Sequence, residues 1–284
     1  MSSGFDPVSL AVFTTLAPAG AVAFLVLALA RLAAPDHADA VRIDRVIALP
    51  FATALLGFIA SATHLGTPAN ALHVFSGVGT SPLSNEVLAA VIFLFLVGAY
   101  WMCAFKINFP DGIADPWLVV ASLAAVAFIA CTSLAYAART VPTWDTVFTP
   151  VNLILAALMA GTLLALLFLA VARIERPLLN RALMTLSLVA LVFGLGSLLL
   201  QQADLATIGN NETTALSLVP HYPLVIAAFA LLGVGAEGLG IFSLRRSLAR
   251  RGRIVVRVAA SLLAVAAVLA VRTAFYNLHM TVGF

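Results

Sequence analysis

The 284-residue sequence is poor in charged residues and in cysteine, and each shortage excludes a class of protein. Asp, Glu, Lys and Arg make up 10% of the chain, whereas a soluble domain contains about 25%, so a soluble globular domain is excluded. The two cysteines, Cys103 and Cys131, form no CxxC pair, so the chain provides no iron–sulfur cluster or zinc site of its own. Both lie within apolar runs, and we interpret them as small core hydrophobes.

Basic residues are missing from the N-terminus, and histidines are missing from the middle of the apolar runs. Residues 1–9, MSSGFDPVS, contain Asp6 but no Lys or Arg, whereas a signal peptide opens with positive charge. We therefore expect the first apolar run to be retained as a helix.

A membrane b-type cytochrome needs axial histidines that face each other within helices, so we expect no haem.

Apolar residues are abundant instead, at 63% of the chain, and the mean hydropathy is +1.10. Several runs exceed the roughly 18 apolar residues that mark a membrane-crossing helix, and backbone polar groups in lipid must be satisfied within their own segment. The predicted fold is all-α, a polytopic integral membrane helix bundle that forms a single anchor domain over residues 1–284. Eight transmembrane helices are predicted, at residues 8–31, 44–65, 85–106, 116–138, 148–173, 178–201, 221–245 and 254–277.

The Lys and Arg residues lie almost entirely in alternate loops. Thirteen of the 15 follow predicted helices one, three, five and seven, and only Arg139 and Arg272 fall on the other side. Because positively charged loops stay in the cytoplasm, both termini are expected outside, in the periplasm. We interpret the basic run 245–257 as a determinant of this topology rather than as a binding site, and we expect no nucleic acid partner.

Two titratable residues flank one of the loops expected outside. His64 closes the second predicted helix and Glu86 opens the third, and the segment between them is rich in Gly, Ser, Pro and Thr and has no Lys or Arg. Antiparallel neighbours bring both side chains to the same depth, and an uncharged loop of this length is able to fold over a pocket. Weaker candidates for the rim of that pocket lie at the same face: Gly66, Ser84, Arg139, Trp144, Asp145 and His279.

An imidazole and a carboxylate at the edge of the lipid suit the binding of a quinone head group. The two quinone oxygens need hydrogen-bond partners that exchange protons near neutral pH, where histidine titrates and where a partly buried carboxyl can also act. The alternative for His64 and for Glu86 is a helix-capping or interfacial side chain, and the local sequence leaves both interpretations open.

Glu237, in the segment LLGVGAEGLGIF, is the one acid well inside a predicted span. An intramembrane acid is costly and suggests a function, here a proton path. The neighbouring glycines also permit close helix approach, so a neutral, hydrogen-bonded carboxyl inside the bundle is the other interpretation. A membrane transporter would show acids at mid-membrane and internal repeats, and only Glu237 points in that direction.

The motifs THLGTP (63–68) and SPLSNE (81–86) resemble those of the membrane anchor subunit of dimethyl sulfoxide reductase. The segments VPTWDTVFTPVNLILAALMAG (141–161) and RTAFYNLHMTVGF (272–284) are also similar to that family. The family is more distantly related to the polysulfide reductase and nitrite-reductase-associated (NrfD-type) membrane subunits. The resemblance covers most of the sequence at the level of topology, and it departs at Asn85, where relatives often have a basic residue.

The resemblance implies a quinone-reactive anchor in the bacterial cytoplasmic (inner) membrane. It matches His64 to the family's quinol-site histidine and Glu86 to its essential acid, with menaquinol or ubiquinol as the bound substrate. It also implies a haem-free anchor that passes electrons to a four-cluster iron–sulfur subunit. The 4Fe-4S clusters and the molybdenum cofactor would be held by that subunit and by a molybdopterin catalytic subunit, which we expect on the side nearer His64.

Two further alternatives remain at this point. Similar anchors serve sulfite- or formate-oxidising molybdenum complexes that reduce quinone, and the anchor sequence does not set the direction of electron flow. A purely structural anchor would tolerate replacement of both His64 and Glu86.

Overall fold

The computed structural model describes residues 7–63, 68–104, 110–209 and 214–279, and this part of the protein is almost entirely helical. The predicted eight transmembrane helices are confirmed, because eight described segments are long and apolar enough to cross a membrane. A 3₁₀ helix, Pro68–Gly77, lies in the segment between the second and third spans. The α-helices are α1 (Pro7–Leu32), α2 (His37–Val46), α3 (Ala48–Ala62), α4 (Pro82–Ala104), α5 (Asp111–Ala135), α6 (Phe148–Val171), α7 (Pro177–Leu205), α8 (Ala215–Leu218), α9 (Tyr222–Ser243) and α10 (Arg250–Asn277).

The second span differs most from its predicted boundaries, because it begins at His37 rather than at residue 44. It consists of α2 and α3, which meet at Ile47. The sequence of α2, HADAVRIDRV, is too polar for a hydropathy pattern to assign to the membrane. Its buried acid, Asp44, is neutralised by Arg31 of α1 at 3.3 Å. The ion pair with Arg31, a residue of another helix, therefore stabilises the polar helix α2 within the second span. The hydropathy of α2 by itself does not predict this position.

Helices α1 and α6 form the centre of the bundle. In their most apolar windows, 78% of the α1 residues and 72% of the α6 residues are buried within the protein, whereas the other spans bury 28–44%. Helix α1 packs against α3, α5, α6 and α10, and α6 packs in turn against α7 and α10. The first four spans and the last four are joined mainly through α1.

Close approach of α1 and α6 depends on a glycine. A methyl group at Gly161 would lie 2.5 Å from the Cβ of Val22 and 2.7 Å from the carbonyl oxygen of Ala19. Neither neighbour is the end of a flexible side chain, so the two helices must separate to admit it. Small residues at such crossings allow backbones to approach where no hydrophobic driving force acts between helices.

Replacing Gly161 by Ala is expected to destabilise the bundle by about 1–3 kcal/mol, as overpacking does in tight cores. The matched control is Gly238→Ala in α9, where an added methyl group has nothing within 4 Å. That variant is expected to be neutral or slightly more stable, because Ala is favoured over Gly in a helix by about 1 kcal/mol. Thermal unfolding in detergent measures both, and equal midpoints for the two variants would contradict the close crossing.

The span ends divide into two faces, which we name by one residue each. At the Glu86 face, the Nε of Arg272 donates to the Oγ1 of Thr14 at 2.9 Å, so the end of α10 lies beside the start of α1. At the Arg31 face, the Nη2 of Arg31 donates to Asp111 at 2.6 Å, so the end of α1 lies beside the start of α5. The spans therefore alternate in direction through the membrane.

Candidate functional site

The side chain of Glu86 points into the bundle from the second turn of α4. The helix begins at Pro82, whose missing N–H suits a first helical position, and buried residues recur along one side of it at Glu86, Ala90, Phe93 and Val97. That spacing places Glu86 on the inward stripe. The residue is 1% exposed, and among the described residues neither carboxylate oxygen has a hydrogen-bond partner. A buried carboxylate without a partner is costly, which indicates that this group serves something other than the fold.

A cavity of about 240 Å³ has Glu86 in its wall, and both carboxylate oxygens of that residue are buried. Among the described residues, the wall is apolar apart from Glu86, Ser61 and Tyr136. Val74 places the 3₁₀ helix over the cavity, so the loop between the second and third spans does cover a pocket. The remaining lining residues come from α1, α3 and the start of α4: Leu10, Phe13, Phe58, Ala62, Leu83 and Val87.

A buried arginine lies behind the cavity and balances the charge of Glu86. Arg272 is 3% exposed and makes no ion pair within 4.0 Å in the described part of the protein. Its guanidinium lies 4.3 Å from the ring centre of Phe275 and 5.5 Å from that of Tyr136. Arg272 interacts electrostatically with the Glu86 carboxyl without forming an ion pair with it.

Tyrosine hydroxyls connect this arginine to the cavity wall. The Nη2 of Arg272 donates to the hydroxyl of Tyr276 at 3.3 Å, and that hydroxyl lies 3.3 Å from the Oγ1 of Thr14. The rings of Tyr276 and Tyr136 pack edge to face, with centroids 5.5 Å apart. The arrangement places hydroxyl groups behind one side of an otherwise apolar cavity wall.

The predicted site residues have different outcomes. His64 and Gly66 lie outside the described residues. Ser84 is buried, and its N–H is turned to the Oγ of Ser81 at 3.4 Å; it does not line the cavity. Asn85 accepts a hydrogen bond from the Gly79 N–H at 2.7 Å, which holds the loop in a turn where Gly79 has a φ of +86°.

Trp144 and His279 lie together at the end of α10, with ring centroids 5.0 Å apart. The Nε1 of Trp144 donates to the carbonyl of Phe275 at 3.0 Å. Neither residue is among the described lining residues of the Glu86 cavity. The ring of Trp144 packs against those of Phe275 and Tyr276, which in turn pack against Tyr136. Their assignment to the pocket rim stays a prediction, as does that of Arg139 and Asp145, which are exposed.

The sequence interpretation missed Tyr136 and Thr132 as neighbours of Glu86, it missed Thr14 as a partner of Arg272, and it assigned no role to Arg272. A signal for Arg272 is present, because a charged residue in an apolar span requires a partner inside the protein. The tyrosine and the threonines carry no such signal, since these residues are common at the ends of membrane helices.

One oxygen of the buried acid Glu237 is hydrogen-bonded within the bundle, and Oε2 has no partner among the described residues. The Oγ of Ser187 lies 2.5 Å from a carboxyl oxygen of Glu237 and 3.2 Å from the carbonyl oxygen of Met159. A hydroxyl has one proton to donate, so both contacts are satisfied together when a protonated Glu237 donates to Ser187 and Ser187 donates to Met159. This geometry fits the neutral, hydrogen-bonded interpretation of Glu237.

Fold and site together define a class: an eight-span helical membrane protein with a buried acid at an apolar cavity near one membrane face. The sequence profile of the family described as "DMSO reductase anchor subunit (DmsC)" matches residues 1–278. The C subunit of the anaerobic dimethyl sulfoxide reductase of Escherichia coli K12 is 34% identical over 288 residues, which cover 100% of this protein and 98% of that one. The anaerobic dimethyl sulfoxide reductase subunit YnfH from the same organism is 31% identical over 284 residues, and the C subunit from Haemophilus influenzae is 30% identical over 297, both with 100% and 98% coverage.

The protein therefore belongs to the DMSO reductase anchor subunit family, and the resemblance inferred from the motifs is confirmed. It is a membrane anchor subunit, and a role in the electron transport of anaerobic respiration follows from the family.

Proposed function

We propose that the protein oxidises menaquinol or ubiquinol at the Glu86 cavity and passes the electrons to an iron–sulfur subunit of a dimethyl sulfoxide reductase-type complex. The observation that carries the proposal is the Glu86 carboxylate, which is buried, lacks a hydrogen-bond partner among the described residues and belongs to a residue in the wall of an apolar cavity. An apolar pocket with one convergent polar group is the usual form of a small-molecule site.

The size and wall of the cavity favour a quinol over other ligands. Its 240 Å³ is below the roughly 300–1,000 Å³ of a drug-sized pocket, so it suits a ring head group while the isoprenoid tail remains in lipid. Phe13 and Phe58 offer faces for an aromatic ring. A quinol hydroxyl needs an acceptor at the polar end, and the unpartnered carboxylate of Glu86 provides one.

Each quinol oxidation releases two protons and two electrons, and the residues of this protein would handle the protons. Glu86 would accept one hydroxyl proton while Arg272 stabilises the carboxylate before transfer. His64 would bind the second quinol oxygen; Ala62, two residues earlier in the sequence, lines the cavity, which supports this role. The hydroxyl of Tyr136 offers a further hydrogen-bond partner at the wall.

The electrons would leave directly to a partner protein. We propose a four-cluster iron–sulfur subunit with 4Fe-4S clusters, and behind it a molybdopterin catalytic subunit, because the sequence predicts no redox centre within the anchor itself. The partner would dock at the Glu86 face, since electron transfer is short-ranged. By the positive-inside rule this face is periplasmic, with both termini there and the single anchor domain in the bacterial inner membrane.

Replacing His64 by Ala is expected to weaken binding of a fluorescent quinol analogue to the purified complex by about 10–100-fold, the usual cost of a lost hydrogen bond to a charged or polar centre. The matched control is His73→Ala, since His73 is exposed on the covering 3₁₀ helix. Activity with an artificial electron donor that bypasses the anchor should stay unchanged. Equal binding by both variants would remove His64 from the site.

A quinone-reducing complex would use the same cavity with electrons flowing inward. Oxidation of sulfite or formate coupled to quinone reduction, with no reduction of dimethyl sulfoxide, would identify that direction and leave the role of Glu86 in place. A transporter has less support, because Glu237, the acid that the sequence places well inside a span, is engaged by Ser187.

A further inference from the structure

A second pocket, of about 200 Å³, opens at the Arg31 face where three spans end or begin. It lies between the first turn of α7, the end of α9 and the start of α10. Leu244 and Pro177 contribute the apolar part of its wall. The polar lining residues are Glu175, Asn180, Arg181, Ser243, Arg246 and Arg253.

The charges of this pocket are unbalanced in favour of an anion. Beneath it, the buried Arg257 binds the single acid, Glu175, with both of its Nη atoms at 3.1 Å. Arg253 also lies 3.4 Å from Glu175. Within the described residues, Arg181 and Arg246 make no hydrogen bond or ion pair. The four arginines and one glutamate leave a net charge of +3, and the N-terminus of α7 adds a favourable dipole for an anion.

One buried polar atom also lines the pocket without a partner. Asn180 is 5% exposed, and its Nδ2 donates to the Oε2 of Glu175 at 2.8 Å. Because only the amide nitrogen can donate to that carboxylate, the orientation of the amide is fixed. Oδ1 is buried and has no hydrogen-bond partner in the described part of the protein. A residue of the pocket wall therefore carries an unpartnered acceptor in addition to the positive charge of the pocket.

Apolar side chains next to the pocket point outward at the same depth. Leu178, which directly follows Pro177, is 83% exposed, Val255 is 67% exposed and Ile241 is 53% exposed. At the end of a membrane span these side chains meet acyl chains. A ligand that has a phosphate, a hydroxylated head group and acyl chains would match the positive charge, the unpartnered acceptor and the exposed apolar side chains together.

We propose that this pocket binds the head group of an anionic phospholipid with free hydroxyls, of the phosphatidylglycerol class. Arg181 and Arg246 bind the phosphate oxygens, and Arg253 adds charge from the opposite wall. The Oδ1 of Asn180 accepts a hydrogen bond from a glycerol hydroxyl. The acyl chains lie along the exposed leucine and the neighbouring apolar residues. Basic pockets between spans are a known type of lipid head-group site.

The test uses the complex purified through a tag on this subunit, with added dioleoylphosphatidylglycerol, dioleoylphosphatidylmethanol, dioleoylphosphatidylcholine or inorganic phosphate. Native mass spectrometry measures bound lipid and thermal unfolding measures the stabilisation. The double variant Arg181→Gln/Arg246→Gln is expected to bind phosphatidylglycerol about 30-fold more weakly, as two lost arginines near an anionic group predict. Arg45→Gln/Arg251→Gln, which removes the same charge from exposed positions outside the pocket, should bind like the wild type.

Three outcomes would overturn the proposal or part of it. Equal weakening by the two double variants would show only diffuse attraction to surface charge. Stabilisation by inorganic phosphate alone, at the level given by phosphatidylglycerol, would identify a free-anion site. Equal affinity for phosphatidylmethanol would exclude recognition of the glycerol by Asn180. If the Arg181→Gln/Arg246→Gln variant unfolds at a lower temperature than the wild type in phosphatidylcholine, the variant Arg181→Lys/Arg246→Lys is tested in its place. It keeps the positive charge and should keep most of the affinity for phosphatidylglycerol.

Discussion

Glu86→Gln is expected to lower quinol-dependent substrate reduction by about 100-fold or more, while binding of a quinol analogue changes only a few-fold. Glutamine has the same shape and can still form a hydrogen bond with the quinol, but it cannot accept the proton. A positioned general base typically contributes about 10²–10⁴ in rate. The measurement is steady-state turnover of the purified complex with a reduced quinol, beside turnover with an artificial donor that feeds the partner subunits directly.

Glu237→Gln provides the matched control, because it makes the same change at the other glutamate that is buried within a described span. Its amide can donate to the Oγ of Ser187, as the protonated carboxyl does, so both quinol turnover and bypass turnover should stay near the wild-type level. A Glu86→Gln complex that turns over quinol normally would show that Glu86 takes no proton. Parallel loss in both variants would indicate instead a proton path that runs through the bundle.

Arg31→Met is expected to be the most destabilising single change in the protein, at about 3–5 kcal/mol, the cost of breaking a buried ion pair from one side. Arg31 is 5% exposed and holds three acids from two other helices, Asp44 at 3.3 Å, Asp111 at 2.6 Å and Asp115 at 2.9 Å. Without the guanidinium, Asp44 remains buried, and the hydroxyl of Tyr100, at 2.7 Å, is its one remaining side-chain partner within the described residues. Thermal unfolding of the purified protein in detergent measures the loss.

Two variants separate the buried pair from a general effect of charge. Arg42→Met removes an arginine that is 42% exposed and pairs with Asp39 one turn away, so its effect should stay below about 1 kcal/mol. Arg31→Met/Asp44→Leu removes both buried charges and should recover much of the stability, because an apolar replacement of a buried pair is often close to neutral. A double variant as unstable as Arg31→Met would assign the loss to packing rather than to the uncompensated Asp44.

The number of spans followed from the sequence because length and apolarity are local properties. Each span meets the requirement for a membrane helix by itself, so the prediction of eight needed no contacts between helices. The start of the second span required them, since the polar segment His37–Val46 is accommodated only when Asp44 pairs with Arg31. Glu86 stood out for a related reason, because an acid at the lipid edge is unusual in a sequence with 10% charged residues.

The residues that surround Glu86 could not be predicted from sequence patterns. Arg272 and Thr14, which form one hydrogen bond, are separated by 258 positions, and no periodicity relates them. Tyr136 is recognised as part of the cavity wall only once the ends of α1, α3, α4 and α5 meet at one face.

The amino-acid order alone thus predicts the helical membrane bundle, the alternating charged loops and the family, and it proposes His64 and Glu86 as site residues, since each of these depends on a short segment or on the distribution of charge. The tertiary structure alone decides which buried polar groups neutralise one another and which are left without a partner. Glu237 and Glu86 show the difference: both are acids in apolar helices, but packing gives one a hydroxyl from a neighbouring helix and gives the other an open cavity. That difference arises from contacts between distant helices, and it separates a structural acid from the one proposed to act on quinol.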